Sequence, residues 1–62
     1  MIVTMRDLRA AKYCGRGARK FFEERGMDWS KFIREGISAE ELKKTGDAMA
    51  LYVVEVASAQ RR

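Results

Sequence analysis

DLRAAKYCGRGARKFF, residues 7–22, decides how this chain folds. Two helical runs flank a glycine-bearing corner, Cys14-Gly15-Arg16-Gly17, so a helix–corner–helix unit is expected. On a helix-turn-helix template, Ala11 is the small residue where the helices cross and Gly15 is the turn glycine with positive φ. Leu8, Cys14, Ala18 and Phe21 form the inner face. Arg16, Arg19, Lys20 and Glu23 then face out, and arginine and lysine are the side chains that grip phosphate and read guanine edges. Two departures count against the template: Glu24 falls where an apolar residue belongs, and Gly17 weakens the first turn of a reading helix. An ordinary helix–glycine–helix corner with a solvated basic face remains the competing reading.

Working outward, the first helix is expected to start at Thr4, an N-cap with Asp7 as a short stand-in for the glutamate of a capping box. Val3 and Leu8 occupy the staple positions, and the helix should run to about Tyr13. The second helix starts around residues 16–18 and ends at Gly26, with Phe21 or Phe22 facing the core. Asp28 caps a short third helix carrying Trp29, Phe32 and Ile33 at i, i+3, i+4, and Gly36 ends it. Ile37-Ser38-Ala39-Glu40-Glu41-Leu42 repeats the opening device, with Ser38 as N-cap, Glu41 closing the box and Ile37 stapled to Leu42. Thr45-Gly46-Asp47 reads either as a tolerated glycine inside one helix or, preferably, as a break before a helix capped by Asp47. Residues 48–57, AMALYVVEVA, carry one charge, Glu55. Their apolar stripe runs from Tyr52 through Met49 and Val53 to Val54, with Leu51 beyond it. That is wider than one buried face needs, so the helix is central or shared with a second copy.

Sixty-two residues make one domain. A chain this short buries only about 60% of its unfolded surface and needs help to be stable. One cysteine and no histidine exclude an internal disulfide and a Cys/His zinc site, which leaves self-association. The lone thiol suits a reducing compartment. No signal peptide is expected, because Arg6 and Asp7 directly follow the apolar opening residues, and no run approaches a membrane span. The net charge of +4 lies wholly in the first half. Residues 1–26 carry seven Lys/Arg against three acids, and residues 27–62 carry six of each. Such asymmetry points toward a polyanionic partner.

The remaining constellations have plainer explanations beside them. Backbone N–H groups at Gly15-Arg16-Gly17 could hold an anion at a helix start, but the spacing is neither that of a P-loop nor that of a dinucleotide fold. Cys14 beside Arg16 could be a reactive thiol, but no histidine is present to act as its base, and a buried structural cysteine is expected. Glu23-Glu24, Glu40-Glu41 and Asp47 sit at helix faces and caps. Trp29, Phe32, Ile33, Phe21, Phe22, Leu42, Met49, Val53 and Val56 read as the core. Arg61-Arg62 reads as a frayed basic end suited to a helix C-terminus.

The pattern Thr4-Met5-Arg6, Cys14, Gly17-Ala18-Arg19, Phe22, Gly26, Asp28-Trp29, Phe32, Gly36, Thr45-Gly46-Asp47-Ala48 and Val54-Glu55 covers nearly the whole chain. It resembles small proteins encoded by tailed bacteriophages and prophages. The resemblance implies a phage or prophage origin and a bacterial host cytoplasm. It assigns no catalytic or binding residue.

The expected fold is therefore an all-α compact bundle of four short helices, or five if Gly46 breaks the last. The expected function is a non-catalytic accessory module docking on nucleic acid through Arg6, Arg9, Arg16, Arg19 and Lys20. The alternative is a protein–protein adaptor in phage assembly or host takeover that uses the apolar last helix, with Leu51, Val54 and Trp29 at the interface; a homodimer through that helix is expected with either function. No catalytic or metal-ligating residue, no cofactor and no membrane partner are expected.

Overall fold

The computed structural model describes residues 1–61. The order is β1 (Ile2–Val3), α1 (Met5–Ala10), α2 (Gly15–Glu24), α3 (Trp29–Glu35), β2 (Ile37–Ser38), α4 (Ala39–Lys44) and α5 (Ala48–Gln60). The chain is mostly helical, but the purely helical bundle is corrected by a small antiparallel pair. Ile2 lies opposite Ser38 and Val3 opposite Ile37, and the Ala39 N–H donates to the Met1 carbonyl at 2.9 Å. The physical reason lies in the helix starts. An N-cap residue and the one before it are extended, and both Val3-Thr4 and Ile37-Ser38 are such pairs. Two extended segments whose apolar residues must both be buried satisfy their backbones by pairing with each other. Val3 is completely buried and Ile37 nearly so.

Most of the helix boundaries follow local chemistry. The Asp28 carboxylate accepts from the Lys31 N–H at 3.0 Å and the Ser38 hydroxyl from the Glu41 N–H at 3.1 Å. The break at Gly46 is real. Asp47 opens α5 by accepting from the Met49 and Ala50 N–H groups at 2.9 and 3.2 Å. The Thr45 hydroxyl donates to the Leu42 carbonyl at 2.7 Å and accepts from the Asp47 N–H at 3.2 Å. α1 is shorter than expected, stopping at Ala10 rather than near Tyr13.

α5 is central. It buries Ala50, Val53, Val54 and Ala57, an i, i+3, i+4, i+7 stripe, and packs on α1, α4 and β1. Alanine at both ends of the stripe lets the neighbouring backbones come close. The other half of the core is aromatic. Phe22 and Phe32 are buried with ring centroids 4.8 Å apart, and half-buried Trp29 lies 5.4 Å from each. Of the residues expected in the core, Ile33 is exposed and Phe21, Met49 and Val56 are only half-buried. Ile33 is 51% exposed, because the seven-residue α3 turns only a narrow stripe inward and Phe32 fills it. Phe21 is only half-buried, and Phe22 takes the inner position of α2.

Arg61, expected to fray, is fastened instead. Asp7, 1% exposed, accepts from the Thr4 N–H at 2.9 Å, from Arg61 Nη1 at 2.9 Å and Nη2 at 3.2 Å, and from the Gln60 amide. Arg61 also donates to the carbonyls of Ala57 and Ile2, each at 2.8 Å. One carboxylate thus joins the start of α1, the end of α5 and, through Arg61, strand β1. Arg62 lies outside the described residues.

Burial raises the Asp7 pKa. The Arg61 hydrogen bond, the Thr4 amide, the Arg61 charge and the Gln60 amide outweigh it, and the net result lies below the ordinary 3.8. A carboxylate depressed in the folded state stabilises fully above its unfolded pKa and loses that contribution as pH falls through the folded value. Asp7→Asn is therefore expected to cost about 2 kcal/mol at neutral pH, the range for a lost charge-assisted hydrogen bond. Urea melts should show the gap to the wild type closing below about pH 4; a pH-independent gap would contradict this assignment.

A second expected outcome concerns the junction of α3 and β2. Gly36 has φ +80°, and a Cβ there would lie 2.8 Å from the Val3 carbonyl oxygen. Gly26 has φ +65° with nothing within 4 Å. Gly36→Ala should cost about 2–3 kcal/mol and Gly26→Ala about 1 kcal/mol. Denaturant melts giving equal costs would show that β1 does not press on Gly36.

Candidate nucleic-acid interface

The five candidate cations occupy the outer faces of the first two helices. In α1, Asp7 and Leu8 point inward, which leaves Arg6 and Arg9, one turn apart, in solvent. In α2, Ala18 and Phe22 are buried, so Arg16, Arg19 and Lys20 project on the far side. All five are exposed. Arg19 meets Glu23 at 3.3 Å, with both side chains more than 60% exposed, so solvent screens the pair heavily. Among the described residues, Arg6, Arg9, Lys12, Arg16 and Lys20 make no ion pair. Arg25 is occupied elsewhere: its guanidinium lies 4.0 Å from the Phe21 ring centroid and 3.3 Å from Asp47.

The corner between the two helices differs from the expected one. Gly15 is the first residue of α2 and does not turn the chain. The turn is made by Lys12, at φ 68°, the one non-glycine residue with positive φ among those described. The Lys12 N–H donates to the Arg9 carbonyl and the Tyr13 N–H to the Leu8 carbonyl, both at 3.0 Å. That is the Schellman arrangement, with lysine where glycine is usual. Helix start signals are legible from Thr4 to Asp47, whereas a left-handed lysine carries no compositional mark.

Cys14 is also corrected. It is exposed rather than buried and serves as the N-cap of α2, its Sγ accepting from the Gly17 N–H at 3.4 Å. That bond occupies one of the amides of the Gly15-Arg16-Gly17 anion-loop reading. Nothing in the sequence singles out Tyr13, and Tyr52 stands there only as a member of the apolar stripe. Their ring centroids lie 6.2 Å apart, edge to face at 86°, and Tyr52 is 48% exposed. The α1–α2 corner and α5 thus meet at a tyrosine pair.

The other surfaces are differently built. Of the proposed partner residues, Leu51 is 43% exposed and Trp29 half-buried against Phe22 and Phe32. Val54 lies in the core, 7% exposed, and offers no outward surface. An apolar cavity of about 20 Å³ under α2 and α5 has room for little more than a water. An open cleft of about 500 Å³ beside α3 and β2 has Phe22 and Phe32 on its floor. Asp28, Glu35 and Glu41 line it against a single cation, Lys31, a charge balance that repels phosphate. Among the described residues no three His, Cys, Asp or Glu side chains are grouped to hold a metal ion, and no helix is long and apolar enough to cross a membrane.

No family model, curated protein or solved structure matches the chain.

The left-handed backbone of Lys12 gives a stability test. Lys12→Gly removes a left-handed side chain and should stabilise the protein by about 1 kcal/mol in a thermal or urea melt. A destabilised variant would mean that the Lys12 stem contributes more by packing than its backbone costs.

Proposed function

We propose that this chain is a non-catalytic accessory module of phage or prophage origin that docks on nucleic acid through Arg6, Arg9, Arg16, Arg19 and Lys20. The observation that carries the reading is the pair of basic outer faces on α1 and α2, where four of these five cations lack an ion-pair partner among the described residues. Such cations neutralise phosphates and release counterions, so affinity falls steeply with salt. The resemblance to phage and prophage proteins supports the setting, a bacterial host cytoplasm. A non-catalytic role accords with the use of Asp7, Asp28 and Asp47 in holding helix starts.

The test is fluorescence anisotropy with a mixed-sequence duplex and a single strand at two salt concentrations. Arg16→Ala, Arg19→Ala and Lys20→Ala combined should weaken binding and reduce the log–log salt slope by about one for each phosphate no longer neutralised. No binding at low salt would overturn the proposal.

A second reading is favoured by one observation. α5 is apolar almost all round and leaves Leu51 and Tyr52 half exposed. A phage or host protein, or a second copy of the chain, could cover that patch together with Trp29. Binding of that kind is nearly indifferent to salt.

A further inference from the structure

We infer that the nucleic acid this surface takes is single-stranded, with a base stacked on the Tyr52 ring beside the α1–α2 corner. The inference rests on the docking reading above and deepens it. An electrostatic face alone does not choose between duplex and single strand. The choice comes from what lies next to the cations. Tyr52 is 48% exposed on α5 and held edge to face against Tyr13. Tyr13 follows Lys12 directly in the corner, with Arg9 four residues before it and Arg16 three residues after. An exposed aromatic ring supported by a second ring, close along the chain to cations that are unpaired among the described residues, is the combination that holds a splayed strand. Bases stack on the ring while lysine and arginine follow the phosphates.

The same corner is poorly made for reading a duplex groove. The helix preceding α2 has only six residues, and α2 opens with Gly15 and Gly17 in its first turn. An exposed ring on a neighbouring helix cannot stack on bases that are already stacked and paired. The chemistry shared by single-stranded DNA and RNA is an unpaired base with its phosphate, and the strand types are separated experimentally.

The probes are fluorescein-labelled dT12, rU12 and a twelve-base-pair duplex, titrated at low salt. The single strands should bind more tightly than the duplex, and a preference between dT12 and rU12 identifies the natural strand. Tyr52→Leu keeps an apolar side chain but removes the ring. It should weaken single-strand binding by about 5- to 150-fold, the effect of losing one stacked base, with the salt slope unchanged. Tyr52→Phe should bind like the wild type, and thermal melts confirm that both variants fold. If Arg16→Ala, Arg19→Ala and Lys20→Ala combined abolish binding while Tyr52→Leu binds normally, docking stands and stacking is overturned. Tighter binding to the duplex also overturns the stacking inference. No binding to any probe overturns both.

Discussion

Asp7 is the point on which the rest of the structure depends. A carboxylate that is 1% exposed must be fully hydrogen-bonded or the fold loses it to protonation. Here Thr4, Gln60 and Arg61 meet that demand from both ends of the chain. The guanidinium in turn bonds the Ile2 carbonyl, so the ion pair also holds strand β1 in place. A domain of this size, whose single cysteine cannot form an internal disulfide, thereby ties its first strand and first helix to its last helix turn.

The clasp positions the candidate interface. Fastening the end of α5 to α1 fixes the face along which α5 lies. It buries Val53, Val54 and Ala57 and leaves Leu51 and Tyr52 outside. Tyr52 then meets Tyr13, and the corner that carries Lys12 is supported from α5. The inward turn of Asp7 and Leu8 also sets the outward turn of Arg6 and Arg9. Arg6, Arg9 and the exposed ring follow from one packing decision, while burial of Ala18 and Phe22 sets the outward turn of Arg16, Arg19 and Lys20.

Much of this is legible in the sequence because helix starts and stops are local events. Thr4, Asp28, Ser38 and Asp47 announce their caps within three residues, and Gly46 marks a true break. What escapes a sequence reading is non-local or rule-breaking. The pairing of Val3 with Ile37 joins residues whose separate roles as helix staples already explain them. Asp7 and Arg61 are 54 positions apart, and each has a satisfactory local role, as capping-box acid and as C-terminal cation. Lys12 adopts a conformation that glycine usually takes, so the sequence draws attention to Gly15 instead. Of the site, the five cations are readable from charge and helical spacing. The Tyr13–Tyr52 pair is not, since it depends on where α5 lies.

The most direct measurement is an NMR titration of ¹⁵N-labelled protein with dT12. Amide shifts are expected to concentrate at Arg9, Lys12, Tyr13, Arg16, Arg19, Lys20 and Tyr52, with the residues of the acidic cleft, Asp28, Glu35 and Glu41, unmoved. Shifts centred on that cleft or on Ile33, or none with the strand in large excess over the protein, would contradict the account.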